Sequence, residues 1–279
     1  GRMAVTLYTY KDSNATVQVG SAYTDYFTVT VPSNKETKPT LEMSLYPEGS
    51  LGDKFSGLYI QGRTKVKAIL SGSAKFSATV SSYGLTVQGK DVDSSFISEY
   101  LSTTGLIEVI GKVTDSRGIS NENSQKITVI PYSKPTILPA SDESGIICAR
   151  CDEKGNITDS GTYLKIKARR SYSKVEVNSE QKNFCAIRYR YRAEDTSKFS
   201  DWVTLLAKDD LSIDSIDSDP IENIVNNENV GFSTETSYIV QIGVIDDLGE
   251  NATIQFIVPT DFVTVDIPED KKGKVIGIF

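Results

Sequence analysis

Apolar and polar residues alternate along most of this chain in short runs bounded by turns. That period of two is expected of strands with one buried and one solvated face. Three of the runs share one design. Val5–Asp12 (VTLYTYKD), Glu108–Asp115 (EVIGKVTD) and Ile239–Asp246 (IVQIGVID) each end on an aspartate. A polar turn follows, and then a second alternating run that stops on proline: FTVTVP, KITVIP and IQFIVP. Asp12, Asp115 and Asp246 occupy matching places, as do Pro32, Pro131 and Pro259. Aspartate suits a turn because its carboxylate accepts nearby backbone N–H groups, and proline ends a strand because it has no N–H for the ladder. The pattern predicts one β-hairpin occurring three times, each copy closing a β-domain.

The stretches from Pro32 to Pro131 and from Pro131 to Pro259 are each long enough for a sandwich core, which takes about 100 residues. Lys38-Pro39-Thr40 and Lys134-Pro135-Thr136 open them alike. Residues 1–33 read as the closing hairpin of an incomplete preceding β-domain plus a linker, since two strands alone are marginal. Residues 34–132 read as one sandwich, 133–260 as a second with a long acidic loop, and 261–279 as an extended connector to a missing distal region. In the first sandwich Leu58–Ile69 reads as one strand, followed by Lys75–Val80 and Gly84–Gln88, with a single helical turn over Ser94–Tyr100. In the second, Thr162–Tyr172 and Phe184–Arg192 alternate. The expected core holds Leu58, Ile60, Val66, Leu164, Ile166, Ile187, Tyr189, Val240 and Ile242.

Composition narrows the chemistry. The 279 residues carry a net charge of −7 and no histidine. Without histidine the commonest general base and metal ligand are gone, and with them Ser-His and Cys-His catalysis. The acidic balance opposes nucleic-acid binding, which needs clustered Lys and Arg. No apolar run is long enough to span a bilayer. Cys148, Cys151 and Cys185 lack the partners of a zinc site and sit in strand-like company, so plain thiols are expected, with a bridge from Cys185 to either of the others as the alternative. Gly84–Lys90 has most of a phosphate-binding loop, but Asp91 stands where Ser or Thr would hold magnesium and the run alternates like a strand. Asp209, Asp210, Asp214, Asp217, Asp219 and Glu222 offer calcium ligands without the order or turn glycine of a calcium loop. Ile213, Ile216 and Ile221 suggest instead a loop pinned to a sheet. No catalytic residue, cofactor site or metal site is expected.

One surface remains. Lys165, Lys167 and Arg169 face out from one strand, and Arg188, Arg190 and Arg192 from another. They would form a single polyanion surface only if the strands shared a sheet. The second and third strands of a sandwich lie in opposite sheets, so two separate solvated faces are expected. Trp202, the single tryptophan, follows at the distance where fibronectin-type modules place their next strand. It reads as a core-edge residue, with a sugar platform as the other reading. Any surface contact is expected to rest on Trp202, Arg188, Arg190 and Arg192.

Several segments together resemble a known family. They are Leu58–Ala68 (LYIQGRTKVKA), Ser73–Val80, Val113–Gly118, Tyr132–Pro135, Arg150–Asn156 with Gly161–Leu164, and Val258–Val263. The chain resembles the large minor structural proteins of siphophages of Gram-positive bacteria, a family of unknown function. The resemblance runs over nearly the whole chain and implies an all-β fold of tandem Ig-like or fibronectin-like β-sandwich domains. It implies a non-enzymatic component of a phage tail tip or fibre, a spacer or scaffold that aids host-surface adhesion. Its partners would be other tail or baseplate proteins and host cell-wall polysaccharide, with no nucleic acid and no membrane. Homo-oligomers would form through the missing regions. The protein would sit in the virion tail after assembly in the bacterial cytoplasm. The alternative is an Ig-like binding module of a bacterial surface adhesin, or an accessory carbohydrate-binding domain.

Overall fold

The computed structural model describes residues 2–140, 145–208, 221–227 and 230–260. Among the described residues every regular element is a strand, apart from a 3-10 turn at Asp53–Phe55. The fold is all-β, built of Ig-like or fibronectin-like sandwiches. By contacts the chain divides into two compact units. The first takes the residues up to Glu48 with Lys65–Leu101 and Leu106–Thr128; the second takes Gly49–Thr64, Ser102–Gly105 and the chain from Val129 onward.

The first unit begins with β1 (Arg2–Leu7) and β2 (Tyr23–Thr28), an antiparallel pair whose strand residues are all exposed. Next, β3 (Thr40–Glu48) yields to a loop carrying β4 (Tyr59–Ile60) before β5 (Lys65–Ser73) returns to pair with β3. The single strand expected over Leu58–Ile69 is therefore two, broken by the turn at Gln61-Gly62-Arg63. Beyond them, β6 (Val80–Val87), β7 (Lys90–Val92), β8 (Gly105–Asp115) and β9 (Ser120–Ile130) lie in the spatial order β9-β8-β6-β7. Met43, Val66, Leu85, Val109 and Val113 are buried in this unit. Lys75–Thr79 is a turn rather than a strand, and Ser94–Tyr100 is not helical: Ser94 and Ser95 form a turn, Phe96 takes a positive φ, and Ile97 makes an isolated bridge to Lys67. The glycine-lysine stretch folds as hairpin: Gln88 and Gly89 both take positive φ between β6 and β7, as a two-residue hairpin turn requires.

The second unit is a sandwich of two sheets. One contains β10 (Thr136–Leu138), β11 (Ile147–Cys151), β12 (Tyr163–Ser171) and β17 (Ile221–Val225), all pairing with β12. The other runs β16 (Val203–Leu206), β15 (Cys185–Ala193), β18 (Tyr238–Asp246), β19 (Asn251–Val258). A small hairpin of β13 (Glu176–Val177) and β14 (Glu180–Gln181) completes the set. Leu164 and Ile166 meet Ile187, Tyr189, Val240 and Ile242 in the core. Of the expected core, Leu58 alone is half-buried and the other eight are buried. Part of the stretch read as a pinned loop is strand β17; Ile213 and Ile216 lie outside the described residues.

The 49–64 loop has its contacts in the second unit. Phe55 and Ile60 pack with Val175 and Leu248, and β4 lies parallel to the last two residues of β9. Ion pairs surround this cluster. Asp247 meets Lys54 at 2.5 Å and Lys208 at 2.9 Å, while Glu250 meets Lys134 at 2.9 Å and also pairs with Arg63.

The hairpin aspartates work through one turn. Asp115 Oδ1 accepts the N–H of residues 117 and 119, and Gly118 follows at φ +81°. Asp246 Oδ1 accepts the N–H of Glu250, with Gly249 at φ +81°. Asp152, in Asp-Glu-Lys-Gly, repeats the arrangement with Lys154, Asn156 and Gly155. In the first hairpin Asp12 accepts from Asn14, Thr16 and Val17, but Ala15 holds the left-handed position at φ +56°.

Candidate functional site

The outer face of the β15 sheet carries the residues on which a surface contact was expected. Alternation along β15 sends Ile187, Tyr189 and Tyr191 to the core side and Arg188, Arg190 and Arg192 to the solvent side. Trp202, just before β16, lays its indole between two of the arginines, with its ring 4.2 Å from the Arg188 guanidinium and 4.5 Å from that of Arg190. Phe199 continues the stack at 4.6 Å from Arg190 and 5.3 Å from Arg192. The order is therefore Arg188, Trp202, Arg190, Phe199, Arg192, with cations and rings alternating.

The backbone makes room for this stack. Arg188 is paired across the ladder with Gly243 of β18, and a Cβ on Gly243 would lie 2.9 Å from the indole. The tryptophan thus lies on the outer face, not at the core edge, and depends on glycine beneath it. Arg190 Nε donates to Gln241 Oε1 at 2.8 Å, and Gln241 Nε2 donates to Gln255 Oε1 at 3.2 Å. Arg192 donates to the carbonyls of Ala193, Glu194 and Thr196. Arg188 Nε is buried and has no hydrogen-bond partner among the described residues. Burial first, and then the charge of Arg190, lowers the Arg188 pKa from its ordinary value. Among the described residues no carboxylate pairs with any of the three arginines.

The other basic strand behaves differently. Lys165 and Lys167 of β12 both meet Glu222 of β17, at 2.7 and 3.8 Å. Arg169 donates to the Pro139 carbonyl at 2.7 Å. The two basic rows lie in opposite sheets, as the sandwich order required.

Beside the aromatic stack, a cleft of about 480 Å³ is lined by Tyr189, Tyr191, Lys198, Phe199, Ser200, Asp201, Val203 and Asn226. Phe199 belongs to both the stack and the cleft wall. Sequence reasoning missed Phe199 and the cleft. The signal available was the aromatic at Phe199, three residues before Trp202 and opposite an Arg-x-Arg-x-Arg strand.

Polar groups elsewhere are engaged in holding the fold. Arg150, only 4% exposed, donates to the carbonyls of Gly161, Phe232, Ser233, Thr236 and Pro259. Asp246 Oδ2 accepts from the Tyr132 hydroxyl at 2.7 Å and from Asn183 at 3.3 Å. Cys148, Cys151 and Cys185 are free thiols, and burial pushes Cys148 and Cys185 up to about 12. Asp209, Asp210, Asp214, Asp217 and Asp219 lie outside the described residues. Among the described residues no group of three or more metal-ligating side chains forms, and no helix is long and apolar enough to cross a membrane.

The family described as "Siphovirus protein of unknown function (DUF859)" matches residues 1–278. The chain belongs to this family. It is a phage protein with an Ig-like fold. No curated protein matches it. Among solved structures, it is similar to the fibronectin(III)-like modules of CbhA from Clostridium thermocellum, at 12% identity and a TM-score of 0.27. That likeness covers 78% of this chain and 94% of the other. It is also similar to protocadherin gamma B2 extracellular cadherin domains 3-6, at 15% identity and a TM-score of 0.24, covering 93% of this chain and 57% of that one.

Proposed function

We propose that this siphovirus protein is a non-enzymatic structural component of the virion, a spacer or scaffold in a tail tip or fibre. The observation that carries the reading is where its ionisable groups go. Asp115, Asp152 and Asp246 close turns, Asp247 and Glu250 are held by lysines and an arginine, and Arg150 binds five carbonyls. Groups committed in this way supply rigidity rather than acid–base chemistry. The exposed hairpin β1–β2 fits the same reading. Met3, Val5, Leu7, Tyr23, Tyr26 and Phe27 are exposed there, and a preceding β-domain, together with neighbouring tail or baseplate proteins, would cover them.

Immunogold labelling of purified virions with antibody to this chain tests the proposal. Label confined to the tail end is expected. Virions without the protein, or label on the capsid, would sink it. A bacterial surface adhesin module would instead be found on cells free of phage particles.

A further inference from the structure

We propose that the outer face of the β15 sheet binds an acidic glycan. The arginine row takes the anionic groups, and the adjoining cleft takes a sugar ring. This deepens the structural reading by naming a ligand class, and it rests on that reading only for placing the polymer on a host surface.

Three features point to such a ligand. First, the chain is acidic overall, at −7, yet this face concentrates three arginines without a carboxylate partner among the described residues. The opposite sheet shows the ordinary solution, in which Glu222 pairs with both Lys165 and Lys167. Leaving adjacent guanidinium groups uncompensated is unfavourable unless an anion completes them, and their planar forks suit phosphate or carboxylate oxygens. Second, the guanidinium groups are pre-set. The indole and the Phe199 ring clamp Arg190 from two sides, and the arginines recur every second residue, about 6.6 Å apart along a strand. A polymer with regularly spaced charges meets such a row with little loss of side-chain entropy. Third, a cleft at the β16 edge of the sheet adjoins the row and shares Phe199 with it. Its volume of about 480 Å³ lies within the range that small-molecule sites occupy, roughly 300–1,000 Å³. Lys198, Ser200 and Asp201 in its lining provide donors and acceptors for sugar hydroxyls.

Trp202 is the chain's single tryptophan, so its fluorescence reports this face alone. The intact chain would be titrated with a phosphomannan, with polygalacturonate, with neutral dextran and with an oligothymidylate. A saturable change with at least one of the two acidic polymers, weakened by salt, is expected, and none with dextran. Response to one polymer alone assigns the anion as phosphate or as carboxylate, and response to both assigns the shared charge. Arg188→Gln/Arg190→Gln should raise the apparent Kd roughly ten-fold or more. Phe199→Ala, which keeps every charge, should weaken binding less, and Lys112→Gln in the first unit should leave it unchanged. Melting curves matching the parent show that the variants fold. Equal response to dextran, tighter binding of the oligothymidylate, unchanged affinity in the double variant, or no response to any polymer would overturn the assignment. Binding by a chain that immunogold does not find in virions would overturn the structural reading and leave the site standing.

Discussion

The left-handed position of the aspartate turn separates residues that look alike in sequence. Gly118, Gly155 and Gly249 hold it at φ +81°, while Ala15 holds it in the first hairpin. A side chain there costs about 1–2 kcal/mol. Gly118→Ala and Gly249→Ala should lower stability by that amount in denaturant melts. Ala15→Gly should relieve a similar strain; because among the described residues β1 and β2 pair only with each other, the gain should appear as slower amide exchange at Lys11 and Val19. The matched aspartates made these turns legible in the sequence. Arg150 was not legible, since an arginine in an alternating run reads as solvent-facing. It is buried because the carbonyls of Gly161, Phe232, Ser233, Thr236 and Pro259 converge there, and buried carbonyls need donors. Arg150→Met should cost about 3–5 kcal/mol, measured by chemical denaturation.

Alternation identified the central strands because it reports one buried face, but it could not say what interrupts a strand or what lies on its outer side. The Leu58–Ala68 phase survives in Ile60, Val66 and Ala68, yet Gln61-Gly62-Arg63 turns the chain between them, and a period of two passes through such a turn unnoticed. The same limit hid the stack on β15. The pattern placed its arginines outward correctly, whereas the indole's position depends on Gly243, far away in sequence. Gly243→Val tests that dependence directly. It should push the indole off the arginine row, seen as a red shift and stronger iodide quenching of Trp202. An unchanged emission would mean that the ring does not need the space.

Across the whole molecule, the pKa shifts oppose one another at the two ends of the pH scale. Arg117 holds Asp115 below its ordinary range. Burial works to raise Asp247, but Lys54 and Lys208 overcome it and hold it low; Lys134, with Arg63 behind it, lowers Glu250. A carboxyl depressed on folding contributes stability that is present above its unfolded value, about 4 for Asp and Glu, and is lost as pH falls through the folded one. For thiols the sign reverses. Cys148 and Cys185, raised to about 12 by burial, favour folding fully below the unfolded thiol value of about 8.5 and progressively less as pH rises above it. Stability should therefore hold a plateau between these limits and fall on both sides. Melting temperatures across the pH range check the shape, and variants assign its two limbs. Glu250→Gln should lower the plateau and flatten the acid limb, because the variant has already lost what protonation removes. Cys185→Ala should leave the acid limb intact and flatten the alkaline one. An alkaline limb unchanged in Cys185→Ala and in Cys148→Ala would show that buried thiols do not set it.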